Sequence, residues 1–192
     1  RAMYEAKDGS SGVAIGNSAL NYLVGQYSTA VGDSAGRYAT GSFNTFVGNS
    51  AGQGSNSAPY ASGQYNTALG YQAMQGFTTG GYNFIGGYRA GYSLQSGNYN
   101  VYIGTFAGYG KTTATGNVAI GYNSNKSGTS AGTNVAIGYD SATTTTSNDG
   151  VWIGANANKL GTSGGGGVIV GHYAGYYAQG TGMVHIGQNA GR

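Results

Sequence analysis

The side chains that could do chemistry are few and scattered: five acids (Glu5, Asp8, Asp33, Asp140, Asp149), two histidines (His172, His185) and no cysteine. Asp33 and Asp140 fall six repeat units apart, roughly 29 Å on stacked strands, whereas glycoside cleavage needs carboxylates about 5–10 Å apart. Asp140 and Asp149 share one unit but sit on different sides of it, as solvated corners. His172 and His185 fall on opposite sides of a strand, which argues against a shared metal site within one chain. The string from Gly104 to Thr112 approaches a phosphate loop, but Thr105 stands where that pattern needs glycine, so Lys111 reads as part of a repeat corner. The expectation is a protein that is not an enzyme, with no cofactor and no metal.

Tyrosine offers more. Tyr71, Tyr122 and Tyr139 directly follow a repeating glycine, Tyr88 and Tyr173 lie two residues after one, and Tyr92, Tyr109 and Tyr176 lie further on. Aromatic faces beside amides and hydroxyls can stack on sugar rings while the polar groups take the sugar hydroxyls. Tyr71, Tyr88, Tyr109, Tyr122, Tyr139 and Tyr176 are therefore the candidate ligand contacts, with packing between neighbouring units as the competing reading.

The elements that would position these residues follow from an unusual composition. Of 192 residues 40 are glycine and 18 tyrosine, one is proline, and 7% are charged. Collagen would need a three-residue glycine period with much proline, and disorder would need many charges and few aromatics. The net charge of +3 comes from basic residues scattered singly, which gives no nucleic-acid stripe. No apolar run approaches the ~20 residues of a membrane-spanning helix, so no membrane insertion is expected.

An apolar residue followed by glycine recurs at Gly16, Gly32, Gly48, Gly70, Gly86, Gly104, Gly121, Gly138, Gly154, Gly171 and Gly187. The residue before each glycine (position −1) is Ile, Val or Leu throughout, and position −3 is Val, Thr or Asn. Two mostly β-branched columns on one face predict a short strand in every unit, with −1 as the core column. A second glycine before most strands predicts two strands and two corners per unit. Asn44, Asn66, Asn100, Asn117 and Asn134, all at −4, predict a hydrogen-bonded ladder from unit to unit. Units this short close no sheet alone and must pair in parallel along an axis. The fold class is all-β, a parallel β-solenoid of about eleven 16–17-residue coils over residues 12–192, preceded by a connector at 1–11 from an earlier segment. The longer stretch between Gly48 and Gly70, with Pro59, predicts a loop.

Position −2 is also largely apolar. A strand apolar on both faces is buried on both, which predicts self-association through this column. Phe46, Phe84, Tyr102, Trp152, Ile169 and His185 are the residues expected at the oligomer axis.

The recurring Val-Ala-Ile-Gly of residues 13–16, 118–121 and 135–138, followed by Ala in most units, resembles the YadA-like head repeats of trimeric autotransporter adhesins. Strings such as Gly63-Gln64-Tyr65-Asn66-Thr67-Ala68-Leu69-Gly70 also resemble long tail-fibre repeats of bacteriophages. The resemblance implies a left-handed β-roll, a homotrimer around a central axis, and attachment of a bacterium or virus particle to a cell-surface glycan or outer-membrane receptor. An extracellular place, on a virion tail fibre or a bacterial surface, follows from it. The longer units and abundant tyrosine tilt the resemblance towards the phage fibre. The competing reading is a structural extracellular filament with no receptor. Ice binding would want a threonine ladder, whereas Thr112-Thr113 and Thr143 to Thr146 fall in single loops.

Overall fold

The computed structural model describes residues 11–128, 132–144, 148–161 and 165–192. Most of the expected connector, with Glu5 and Asp8, lies outside the described residues, as do Thr145 and Thr146. Eleven short strands follow one another: β1 (Gly12–Ile15), β2 (Ser28–Val31), β3 (Thr45–Val47), β4 (Thr67–Leu69), β5 (Phe84–Gly86), β6 (Val101–Ile103), β7 (Val118–Ile120), β8 (Val135–Ile137), β9 (Val151–Ile153), β10 (Val168–Val170) and β11 (Val184–Ile186). They form a single parallel sheet in sequence order, each pairing with the next. The protein is a β-solenoid, and at about 4.8 Å per coil its strands span roughly 50 Å.

Register corrects the repeat frame in one unit. β4 pairs Leu69 with Gly86, and β5 pairs Gly86 with Ile103. Gly86 therefore takes the −1 place, and the repeating glycine is Gly87, whose φ of +130° matches the +128° of Gly104. The intervals on either side become 17 and 17 residues, and Asn83 enters the −4 column. Two constraints fix glycine at this position. Its φ suits no L side chain, and a Cβ on Gly104 would lie 2.6 Å from the carbonyl oxygen of Gly121 in the next coil.

The interior is the reverse of the sequence expectation. Position −2 points into the coil: Ala30, Phe46, Ala68, Ile85, Tyr102, Ala119, Ala136, Trp152 and Ile169 are all buried. The −1 column faces outward, with Val47, Leu69, Ile103 and Ile153 exposed within a single chain. Phe46, Tyr102, Trp152 and Ile169 thus fill the core of their own coil and cannot line an axis between chains. Phe84, which belongs to −3, is 43% exposed on the outer face, and His185 sits half-buried in the coil of β11. The physical reason is volume. A narrow coil needs side chains that trade size with their neighbours, and in most coils −2 trades with +4. Where −2 is Phe46, Ile85, Tyr102 or Ile169, position +4 is Gly52, Gly91, Gly108 or Gly175. Where −2 is Ala14 or Ala68, +4 is Leu20 or Met74. A Cβ on Gly108 would come within 2.5 Å of Tyr102 Cδ2.

A second strand per coil is not found among the described residues, apart from one isolated bridge between Ala39 and Ala61. The return side is turn-like backbone, still bonded from coil to coil, as in Tyr22 N–H to Arg37 O (3.1 Å) and Tyr38 N–H to Gln53 O (2.8 Å). Its left-handed residues are largely not glycine. Positions −5, +2 and +4 carry, among others, Tyr82 (φ +59°), Arg89 (+51°) and Met74 (+52°). The asparagine ladder is present, and buried: Asn100 Oδ1 accepts from Asn117 N–H (3.0 Å), while Asn100 Nδ2 donates to Asn83 Oδ1 (2.9 Å) and Ala114 O (2.8 Å). Each rung satisfies main-chain groups that the corner leaves over.

Candidate ligand and association surfaces

The outer strand face is built by positions −3 and −1 of all eleven strands. It carries no charged residue: Val13, Ile15, Leu69, Phe84, Ile103, Ile153, Val184 and Ile186 are exposed on it, and Thr occupies −3 in β2, β3 and β4. About 50 Å long and roughly 7 Å across two residues, it covers several hundred Å², the size at which an exposed apolar patch marks an interaction site.

One edge of this face carries an aromatic ladder that the repeat reading missed. Tyr27, Phe43, Tyr65, Tyr82 and Tyr99, all at −5, stack ring on ring with centroids 5.3, 4.9, 4.9 and 5.1 Å apart. All five are exposed, and each has a left-handed backbone. The signal was present as a fixed offset before the glycine, and the misplaced Gly86 frame hid it at Tyr82. In later coils −5 becomes Gly116, Thr133, Asp149 and Gly166, so the ladder covers one half of the rod.

The tyrosines singled out from sequence separate into two columns. Tyr71, Tyr88, Tyr122 and Tyr139 are exposed at +1, Tyr88 moving there with Gly87 as its reference. Tyr71 stacks on Tyr88 (5.4 Å) and Tyr122 on Tyr139 (5.2 Å), with Phe106 edge-on between the pairs. Tyr109 and Tyr176 lie half-buried at +5, on the return side. Tyr109 stacks on Tyr92 at 5.2 Å, and Tyr176 meets Tyr177 edge-on. Stacking along the rod covers much of each ring face and leaves edges and hydroxyls to solvent.

The charged groups are mostly engaged locally. Asp140 is buried, forms an ion pair with Lys159 (2.7 Å) and accepts from Asn123 Nδ2 (2.9 Å). The carboxylate holds the Lys159 pKa above its ordinary value, chiefly through that hydrogen bond. Asp149 accepts from Thr133 Oγ1, and Asp33 from Ser34 Oγ (2.8 Å). No group of three or more metal-ligating side chains occurs among the described residues. His172 is exposed beside Tyr173. Lys111 is not on an exposed corner: it is fully buried in the column that Leu23, Phe77 and Leu94 fill in other coils, and its Nζ has no hydrogen-bond partner. Burial pushes its pKa down to about 8. Burial also pushes the Tyr102 phenol up from its ordinary value.

The fold defines the protein as a β-solenoid with a flat apolar strand face. Comparison with protein-family models, curated proteins and solved structures found no match to the chain.

Proposed function

We propose that this chain is a segment of a non-enzymatic attachment fibre, a rigid rod whose copies associate through the outer strand face and whose sides carry receptor contacts. The observation that carries the reading is the uncharged −3/−1 face running the length of the sheet. With the −5 ladder added, the surface widens to roughly 13 Å over half of the rod and reaches about 500 Å² per chain, against the ~800 Å² each partner gives to a standard interface. Three copies, a left-handed roll and a place on a virion fibre or bacterial surface are what the resemblance of the repeats implies. A cell-surface glycan fits the exposed tyrosine edges and neighbouring amides.

The second reading is a structural extracellular filament with no receptor, favoured by the ring-on-ring stacking that occupies the tyrosine faces. Binding of the fluorescently labelled fragment to a panel of bacterial cells separates the two. Saturable binding that protease- or periodate-treated cells lose supports attachment. A uniform lack of binding across the panel supports the filament.

A further inference from the structure

The repeat between Gly48 and Gly70 spans 22 residues where its neighbours span 16 or 17. Its extra chain walls a cleft of about 590 Å³ on the return side of the coil, in the size range of small-molecule sites. The floor is one column: Arg37, Gln53, Gln75 and Tyr92 stand at +5 on four successive coils, and all four line the cleft. Gln75 Nε2 donates to Gln53 Oε1 (2.6 Å), which orients both amides and leaves Gln75 Oε1 buried without a partner. Arg37 Nε is likewise buried and unpartnered. Its guanidinium lies 5.0 Å from the Tyr38 ring centroid, and that ring is fixed by stacking on Tyr22 (5.2 Å) and on Tyr60 (5.9 Å), where the inserted loop returns. No acid lines the cleft, and the described residues offer Arg37 no ion pair.

We propose that this cleft binds a sugar bearing a carboxylate, as a unit of an acidic polysaccharide. A planar guanidinium with free N–H groups matches one carboxylate. Amide side chains both donate and accept, which suits vicinal hydroxyls, and Tyr38 and Tyr92, whose faces are taken up by neighbouring rings, leave ring edges to the cleft. A single cation among amides fits a singly charged polyol better than phosphate, which is ordinarily met by several cations or a cluster of backbone N–H groups. The proposal deepens the attachment reading and rests on it for a biological role. Binding is therefore measured on free sugars, so that its failure leaves attachment through other surfaces standing, and a failure of cell binding leaves the cleft standing.

The test is saturation-transfer NMR and calorimetry of the fragment with glucuronate, galacturonate and N-acetylneuraminate, against glucose and inorganic phosphate at constant ionic strength. At least one acidic sugar should bind tenfold or more tighter than glucose and tighter than phosphate. Arg37→Ala should weaken it at least tenfold. Should Arg37→Ala fail to fold, the near-isosteric Gln75→Glu, which sets a carboxylate against the ligand, should give the same loss with an unchanged circular dichroism spectrum. No binding by any of the three acids, equal binding of glucose, tighter binding of phosphate, or affinity unchanged by either folded variant would each overturn the proposal.

Discussion

Gly52 and Phe46 show how single residues set this core. A Cβ on Gly52 would overlap the Phe46 ring carbons Cδ1 and Cε1, and Gly52 has a φ of +51°. Gly52→Ala should cost about 2–5 kcal/mol, combining left-handed strain with overpacking. Phe46→Val should then cost at least 1 kcal/mol less in the Gly52→Ala background than in the parent, a coupling of the kind found between touching residues. Denaturant melts of the four proteins read this directly, and additive costs would refute the size exchange. Lys111 is the opposite case, a cation where its column calls for an apolar side chain. Unfolded, Lys111 keeps its proton to about pH 10.5, and folded it loses it near 8. Stability should therefore rise with pH between those values by about 3 kcal/mol, the penalty being fully present below pH 8. Lys111→Met should be more stable at pH 7 and lack this rise. Parallel stability–pH curves for the two proteins would contradict the burial of a charged amine.

At the scale of elements, each coil is held by a strand of three or four residues and a glycine at the corner, and six successive coils, from Asn44 to Asn134, add a buried rung of the asparagine ladder. Asn100→Ala would strand the N–H of Asn117 and the carbonyl of Ala114 inside the corner. A loss of about 2–4 kcal/mol is expected in thermal or denaturant unfolding, against a few tenths for Asn49→Ala at an exposed corner. Strand positions, the parallel order and most of this ladder were legible in the sequence because all three repeat with the glycine. The expected second strand is not found among the described residues, because glycine near −7 does not mark a sharp turn between two strands. Its role there is close approach: a Cβ on Gly25 would lie 2.6 Å from the carbonyl carbon of Gly41 in the next coil.

At the scale of the whole molecule, the sequence showed a rod apolar on both strand faces but not which face was inside. Ile and Val at −1 look like core, and Phe46, Tyr102 and Trp152 at −2 look like an interface. The distinguishing signal was variance. The −2 column ranges from Ala to Trp because most coils balance it with +4, Trp152 with Asn158 and Ala30 with Gly36 being exceptions, while the outer column stays Ile, Val or Leu in all strands but β5 because a flat face must be even. The candidate sites were legible only as tyrosines at corners. The −5 ladder needed the corrected frame, and the cleft needed the insertion and four coils brought into one column. The central claim, that copies meet through the −3/−1 face, is tested most directly by the solution mass of the fragment and of its Ile103→Asp/Ile153→Asp variant by light scattering. The account predicts a parent of three chains and a folded, monomeric variant with the same circular dichroism. A monomeric parent, or a variant that keeps the parent's mass, would contradict it.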